Sequence, residues 1–245
     1  MDTTEDKILG GRVILHQPAD GYRAAIDPVL LAAAVPTKPG DRALDLGCGV
    51  GAAMLCLATR VKDVAVDGLE LQLDLALLAQ QNIQANGLAD RVRVFEGDLL
   101  NPPDDLVADS YTQVFANPPY ITEDRGHPPP NVSKRTAHVE GEARLFDWVD
   151  TALNFCRPKG TVCFIYRADR LADVLGALEG KAGEIEIIPL WPKPGVPAKR
   201  VIIRARKAIK TPLSLDYGLV LHEGAGEGGD YSESAKKVLN GEIGI

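Results

Sequence analysis

Four consecutive residues, Asn117-Pro118-Pro119-Tyr120, are the ones in this chain best suited to chemistry. They follow the apolar run Val114–Ala116, which is typical of the end of a buried strand. The Asn117 amide oxygen and the Pro118 carbonyl are two acceptors in one rigid turn, and an NH2 group has two hydrogens to donate. Tyr120 adds a flat face for stacking. We predict that Asn117, Pro118 and Tyr120 are catalytic and act on an amino or amide nitrogen, such as that of adenine or of a glutamine side chain.

A glycine-rich turn is the second group of residues that indicates a ligand. It comprises Asp45-Leu46-Gly47-Cys48-Gly49-Val50-Gly51 and follows a short apolar run. Glycine lets the backbone approach a ligand closely and lets the next helix pack near the strand. The spacing differs from the G-x-G-x-x-G of dinucleotide enzymes, because the third glycine comes too early and an acid opens the turn.

Acidic residues also end the next two predicted strands. Glu70 closes the second strand, where a carboxylate can accept both hydroxyls of a ribose. Asp67 is a competitor for that role, but it lies further back in the strand. Asp98 follows the third strand, directly after Gly97.

The glycine turn, the three acids and the Asn-Pro-Pro-Tyr turn together resemble the S-adenosylmethionine-dependent methyltransferases that act on planar amino or amide nitrogens. The resemblance implies S-adenosyl-L-methionine as cofactor, S-adenosyl-L-homocysteine as product, and no metal. It implies that the methionine ammonium lies near Asp45, the ribose near Glu70 and the adenine near Asp98. The predicted cofactor-binding residues are Asp45, Gly47, Cys48, Gly49, Gly51, Glu70, Leu71, Gly97, Asp98 and Asn117.

Hydrophobic periodicity predicts the elements that position these turns. The predicted strands are Arg42–Leu46, Val64–Leu69, Arg91–Phe95, Tyr111–Ala116, Thr161–Tyr166, Ile185–Leu190 and Arg200–Arg206, and the predicted helices are Pro28–Val35, Ala52–Arg60, Leu73–Asn86, Glu142–Cys156 and Ala168–Leu178. The last two strands have no helix between them. We therefore predict an α/β, Rossmann-like, doubly wound sheet of about seven strands, mostly parallel, with a terminal antiparallel hairpin, as in class I methyltransferases.

The predicted domain organisation has three parts. Residues 39–210 form the methyltransferase domain, residues 1–38 form an N-terminal segment that caps the site, and residues 211–245 form a C-terminal extension.

Segments near both ends of the chain resemble a more specific family. The segment Gln17–Leu31 is similar to the N-terminal signature of the bacterial tRNA adenine-N6 methyltransferases, of the Asn-Pro-Pro-Tyr type, that modify the adenine beside the anticodon of a valine tRNA. The segments Leu219–Glu223 and Tyr231-Ser232 are similar to that family as well. The resemblance implies methylation of the N6 amino group of a tRNA adenine. Within the signature, Tyr22 and Asp27 are predicted to close over the cofactor or the base.

Charge patterning bears on an RNA substrate. The net charge is −7, so phosphate binding requires a local basic surface. The stretch Ile187–Leu215 has no acid and contains Arg204 and Lys207, and the long segment after Tyr120 contains Lys134 and Arg135. We predict these four cations as RNA contacts. The alternative for the stretch is a solvated edge strand protected by Lys and Arg.

Composition excludes several classes of protein. The 245 residues are 45% hydrophobic and contain no apolar run long enough for a transmembrane helix, and the N-terminus is unlike a signal peptide. Four cysteines without a C-x-x-C pair predict buried, reduced thiols, and the scattered histidines disfavour a zinc site. We expect a cytoplasmic protein with no membrane contact, either a monomer or a homodimer.

Two other functions remain open at the level of the sequence. A protein glutamine N5-methyltransferase would use the same Asn-Pro-Pro-Tyr turn, but such enzymes usually carry a separate N-terminal helical domain, and only about 40 residues precede the first strand here. A small-molecule methyltransferase acting on oxygen would need a base or a metal near the acceptor.

Overall fold

The computed structural model describes residues 2–20, 25–119, 143–223 and 229–245. The described strands are β1 (Thr3–Ile8), β2 (Val13–Pro18), β3 (Arg42–Leu46), β4 (Ala65–Glu70), β5 (Val92–Glu96), β6 (Tyr111–Ala116), β7 (Cys156–Arg167), β8 (Ala182–Trp191), β9 (Arg200–Lys207), β10 (Ser214–Leu215) and β11 (Leu219–Val220). The described helices are α1 (Asp27–Ala34), α2 (Ala52–Arg60), α3 (Leu73–Ala85), α4 (Leu145–Phe155), α5 (Leu171–Leu178) and α6 (Glu233–Leu239), and a 3-10 turn at Ala168–Arg170 precedes α5.

A single large sheet organises the chain. Over the described residues its order is β10-β8-β9-β7-β6-β3-β4-β5, and β11 also pairs with β8. Strands β3 to β7 run parallel, whereas β9 is antiparallel to both β7 and β8. The predicted doubly wound sheet with a terminal antiparallel hairpin is therefore confirmed. The two-residue strands β10 and β11, which the sequence did not predict, extend it beyond seven strands.

The strands are apolar along their length because helices cover both faces of the sheet. Along β6, Phe115 packs in the layer that contains α1, α2 and α3. Its neighbours Val114 and Ala116 pack in the other layer, with α4 and α5. This alternation fixes the register of the central strands, since a shift by one residue would exchange the two faces.

The N-terminal segment contains a β-hairpin bound to α3 through two asparagines. Strands β1 and β2 pair with each other. Asn82 accepts a hydrogen bond from the His16 N–H at 2.8 Å and donates to the carbonyls of His16 and Val50, each at 2.9 Å. One turn later, Asn86 accepts from the Ile14 N–H at 2.9 Å and donates to the Ile14 carbonyl at 2.7 Å. The two amides thus pair with β2 as a neighbouring strand would.

The C-terminal extension returns to the core of the molecule. The backbone N–H of Ile245 donates to the Ala33 carbonyl at 3.0 Å. At the C-terminal end of α6, the Arg12 guanidinium donates to the Asn240 carbonyl at 2.7 Å. The extension therefore packs against both α1 and the N-terminal hairpin. No helix in the described ranges has the length and apolar character to cross a bilayer.

Candidate cofactor and acceptor site

The sequence-predicted turns meet at one edge of the sheet. Leu46 at the end of β3 is paired with Ala116 of β6 on one side and with Leu69 of β4 on the other. Leu69 is in turn paired with Phe95 of β5. Neighbouring strands lie about 4.8 Å apart. The carboxyl ends of β6, β3, β4 and β5 therefore present Asn117, Gly47, Glu70 and Gly97 in a row, at the point where the strand order reverses.

The glycine turn depends on glycine at positions where another backbone or ring comes close. Gly47 has φ +65°, and a Cβ there would lie 2.4 Å from Cη2 of Trp148. Gly68 lies in β4 beneath the turn, and a Cβ there would lie 2.7 Å from the sulfur of Cys48. At Gly49, with φ +55°, a Cβ would meet no atom within 4 Å. The turn is thus packed from below and open at Gly49, as a ligand cradle requires.

Asp45 is a buried acid with one unpaired oxygen. Its side chain is 2% exposed, and no described group hydrogen-bonds to Oδ2. Burial raises the pKa of Asp45 well above its usual value, the backbone hydrogen bond from Met54 lowers it, and the neighbouring Glu70 charge raises it further. A cationic group of a ligand would supply the missing partner.

Glu70 is tied to the turns on either side of it. One carboxylate oxygen accepts from the Gly49 N–H at 2.8 Å, and the other accepts from the Gln72 N–H at 2.9 Å. Burial raises the pKa of Glu70, and these backbone hydrogen bonds oppose the shift. The Leu71 N–H is a third backbone donor to this carboxylate. Because a carboxylate has about four acceptor sites, capacity remains for a ribose hydroxyl.

Asp67, the competing acid, has a structural role. It pairs with Arg93 at 2.9 Å and with Arg42 at 3.3 Å, and it accepts from the Tyr111 hydroxyl at 2.8 Å. Its position within β4, three residues before the strand end, keeps it away from the row of turns. The sequence-based preference for Glu70 over Asp67 agrees with this placement.

The remaining predicted cofactor residues border the same edge. Gly97 donates to the Glu70 carbonyl at 2.9 Å, which holds the end of β5 beside the end of β4. Asp98 is half-buried, and its Oδ1 accepts from the Leu100 N–H at 2.9 Å. Leu71 directly follows Glu70 and is 41% exposed, so it offers an apolar surface beside the carboxylate.

The acceptor turn is described only in part. Asn117 is half-buried and Pro118 is buried, directly after β6. Tyr120, Tyr22, Lys134 and Arg135, which the sequence predicts as catalytic or substrate-binding residues, lie outside the described residues. Asp27 is described: it begins α1 and pairs with Arg200 at 2.8 Å. Its predicted role over the cofactor or base stays a prediction.

Two predicted RNA contacts lie away from this edge. Because β9 is antiparallel to β7, its C-terminal residues run toward the amino ends of the parallel strands. Lys207 there binds Asp109 at 2.5 Å and the Cys156 carbonyl at 2.9 Å. Arg204 pairs with Glu186 at 2.6 Å, and its side chain is 17% exposed. The antiparallel course of β9 thus carries both cations away from this edge and into intramolecular contacts. Their predicted role as RNA contacts stays a prediction.

Sequence reasoning missed the residues that border the acceptor turn on its other side. A small cavity of about 40 Å³, open to solvent on one side, adjoins Pro118 and Pro119, and it is also lined by Arg144, Trp148, Tyr166 and Arg170. Tyr166 comes from β7, the strand next to β6, while Arg144 and Trp148 come from the start of α4. In the sequence, Trp148 and Tyr166 fit the apolar pattern of core elements, so their spacing alone could not have identified them.

Comparisons with known proteins agree with the fold and with a methyltransferase. Residues 24–132 match the methyltransferase small domain family. The chain is 28% identical over 152 residues to the tRNA1(Val) (adenine(37)-N6)-methyltransferase of Tolumonas auensis, an alignment that covers 62% of each protein. It is 28% identical over 189 residues to the enzyme of the same name from Dickeya chrysanthemi, covering 76% of this chain and 73% of the relative.

A solved structure supports the same assignment. The chain superposes on a predicted O-methyltransferase of Agrobacterium tumefaciens with a TM-score of 0.74 and 25% sequence identity. The superposition covers 89% of this chain and 98% of that protein. The two molecules therefore share the overall fold.

Proposed function

The chain is an S-adenosylmethionine-dependent methyltransferase of class I, related to the bacterial tRNA1(Val) (adenine(37)-N6)-methyltransferases, and from this we propose that it methylates the N6 amino group of an adenine in tRNA. The observation that carries the proposal is the pairing of Leu46 with Ala116. It brings the glycine turn and Asn117 to adjacent strand ends, so that cofactor and acceptor meet at one point.

The chain's own residues fit this cofactor. The unpaired, buried oxygen of Asp45 suits an ammonium group, the open space at Gly49 lets a ligand approach the backbone, and Glu70 retains acceptor capacity for a ribose hydroxyl. Leu71, Gly97 and Asp98 would border the adenine. Cys48 and Gly51 shape the turn from within. S-adenosylmethionine supplies an electrophilic methyl group on a sulfonium.

At the acceptor, the protein's task is to orient an amino group. The lone pair of an exocyclic amino nitrogen is delocalised into the ring, which makes it a poor nucleophile. Hydrogen bonds from the two amino hydrogens to the Asn117 side-chain oxygen and to the Pro118 carbonyl would favour a pyramidal nitrogen and direct its lone pair toward the methyl group. The nitrogen would form a bond to the methyl carbon while the carbon–sulfur bond breaks and its electron pair returns to the sulfur. The methylated nitrogen would then lose a proton to water, so no strong base is needed. Tyr120 would stack on the base.

The names of the relatives support tRNA as the substrate, since the relatives in both alignments are tRNA adenine-N6 methyltransferases. A tRNA loop also suits the chemistry. The target adenine must leave its stack to reach Asn117, and unstacking costs less in a loop than in a duplex. The partner of this protein is therefore tRNA in our proposal.

A transfer experiment tests the proposal. The protein is incubated with cofactor labelled in its methyl group and with three separate acceptors: unmodified tRNA, a protein fraction and a small-molecule fraction. The tRNA is then digested to nucleosides and analysed by mass spectrometry. We expect label in N6-methyladenosine, and none when Asn117→Ala replaces the wild-type protein. Label in glutamine of the protein fraction, or in a small molecule, with unlabelled tRNA, would overturn the proposal.

A further inference from the structure

The cavity beside the acceptor turn has a position and a composition that no part of the cofactor site explains. Phe164 of β7 is paired with Ala116 of β6, so Tyr166, two residues later, lies level with Pro118 on the next strand. The cavity therefore extends the row of strand ends by one strand, on the side of Asn117 away from Gly47. A group bound there would adjoin the acceptor amino group rather than the cofactor's ribose or adenine.

Trp148 connects this cavity to the cofactor turn. It is 6% exposed, its ring lies over Gly47, and it lines the cavity with Pro118. Its Nε1–H has no hydrogen-bond partner among the described residues. A buried donor without a partner is costly, so this N–H is suited to pair with a bound ligand.

Positive charge surrounds the same cavity. Arg144 immediately precedes α4, whose N-terminus carries partial positive charge from the helix dipole. Arg170 stands opposite, at the end of the 3-10 turn. Two carboxylates moderate this charge: Asp147 accepts from the Arg144 backbone N–H at 2.7 Å, and Asp173 pairs with Arg170 through Nε. The Arg144 guanidinium has no ion pair with a described residue, and a guanidinium offers five donors.

We propose that this cavity is a subsite for the RNA directly around the target adenosine. Trp148 donates a hydrogen bond to the target nucleotide, and Arg144 and Arg170 bind the phosphates on either side of it. The assignment rests on the proposed function and deepens it, because it names the residues that recognise RNA. It places RNA binding at the carboxyl end of β7 and the start of α4, whereas the sequence predicted contacts from Arg204 and Lys207 of β9. In this acidic protein, the proposed phosphate contacts thus lie beside the cavity where the target adenosine binds.

Binding measurements test the arginines. A short single-stranded RNA with one adenosine is titrated by fluorescence anisotropy, with S-adenosylhomocysteine saturating, over about 50 to 200 mM KCl. We expect Arg144→Gln and Arg170→Gln each to weaken binding roughly 10-fold at low salt and to reduce the slope of log K against log salt by about one. The matched control is Arg157→Gln, an exposed arginine at the opposite edge of the sheet, which should bind as the wild type does.

Indole NMR tests Trp148 directly. The chain has two tryptophans, and Nε1 of Trp191 already donates to the Tyr217 carbonyl at 2.9 Å. In protein labelled with 15N at the indole, saturating RNA should shift the Trp148 Nε1–H resonance downfield and leave that of Trp191 in place. In Trp148→Phe, which keeps a ring over Gly47, KM for RNA should rise about 10-fold while the Kd for S-adenosylhomocysteine changes little.

These outcomes separate this inference from the proposed function. If wild-type protein forms N6-methyladenosine but the arginine variants bind RNA with unchanged slope, the subsite assignment is overturned and the function stands. If the Trp148 resonance moves with S-adenosylhomocysteine alone and not with RNA, the donor belongs to the cofactor and the assignment is likewise overturned. If no RNA is methylated at all, it is the proposed function that fails.

Discussion

Asn117 carries the chemistry if the acceptor is an amino group. In Asn117→Ala, we expect kcat to fall roughly 100-fold or more, because the acceptor nitrogen loses one of its two orienting contacts. The Kd for S-adenosylmethionine, measured by calorimetry, should change by less than about threefold. The matched control is Asn154→Ala, an exposed asparagine on α4. Retained turnover in Asn117→Ala would contradict the mechanism in which Asn117 and the Pro118 carbonyl both accept hydrogen bonds from the acceptor amino group.

Asp45 predicts a pH dependence of cofactor binding. Burial holds its pKa well above the usual value in the free protein, so its carboxylate keeps a proton to higher pH than an exposed acid does. A bound ammonium favours the ionised form, and binding must therefore release that proton. Affinity should rise as pH rises through the raised pKa of Asp45 and level off above it. Calorimetry in buffers of different ionisation enthalpy measures the released proton, and Asp45→Asn should abolish the pH dependence.

The same carboxyl has the opposite effect on the stability of the free protein. The folded state holds the Asp45 proton more tightly than the unfolded chain does, because the folded pKa is the higher one. The resulting stabilisation is complete below the unfolded pKa and is lost as pH rises through the folded pKa. Bound cofactor should therefore raise Tm more at neutral pH than at acid pH.

Glu70 should affect cofactor affinity through charge-assisted hydrogen bonds. We expect Glu70→Ala to weaken S-adenosylmethionine binding by about 1–3 kcal/mol, and calorimetry measures the change. Its contacts with Gly49 and Gln72 also hold the turn in shape. Glu70→Gln keeps one acceptor oxygen and provides the intermediate control. Unchanged affinity in both variants would remove Glu70 from the site.

Residue types predicted much of this site because the cofactor half consists of glycines and acids at strand ends. Asp45, Gly47 and Glu70 follow apolar runs in the sequence, so parallel pairing alone brings them together. Trp148 and Tyr166 could not be predicted in this way. They face the site only because α4 packs over the end of β3 and because β7 pairs with β6, and both facts depend on tertiary packing.

Among the elements, the β1–β2 hairpin has the most specific attachment. Asn82 is fully buried, and three of its hydrogen bonds reach the backbones of β2 and of the glycine turn. Asn82→Ala should lower the free energy of unfolding by about 2–4 kcal/mol, because it leaves these backbone groups unpaired. Chemical denaturation measures the loss. Gln81→Ala, at an exposed position of the same helix, should cost little.

Hydrogen exchange shows where that loss occurs. In Asn82→Ala, the amide of His16 should exchange faster, whereas the amide of Ile14, held by Asn86, should change less. Equal exchange of the His16 amide in variant and wild type would contradict the proposed attachment.

The sheet and its hairpin were predictable from periodicity, but the N-terminal hairpin was not. The strands of the central sheet are apolar on both faces, which is a strong signal. Strand β1, in contrast, contains Glu5, Asp6 and Lys7 and has the composition of a polar surface segment. What makes it a strand is its pairing with β2, and β2 is in turn fixed by asparagines some 70 residues away in the sequence.

At the scale of the whole molecule, Arg204 joins the end of α1 and the C-terminal residue to the sheet. It pairs with Glu186 and donates to the carbonyls of Ala34 and Ile245. Arg204→Glu should lower the free energy of unfolding by roughly 3 kcal/mol, because it places a second carboxylate beside Glu186. Thermal denaturation checks the stability. The RNA affinity of the folded fraction should be unchanged. A loss of RNA binding without a loss of stability would instead indicate that Arg204 contacts the RNA.

The proposed contacts fall into two groups along the row of strand ends. The proposed cofactor contacts follow the ends of β3, β4 and β5, whereas the proposed acceptor contacts follow the ends of β6 and β7. The segment 118–170 could therefore be exchanged between related enzymes to transfer acceptor specificity. Trp148 is the exception, because its ring lies over Gly47 on the cofactor side of the boundary. A transplanted segment without a planar side chain at this position would leave a gap above the glycine turn. Such a chimera would change cofactor affinity together with its choice of acceptor.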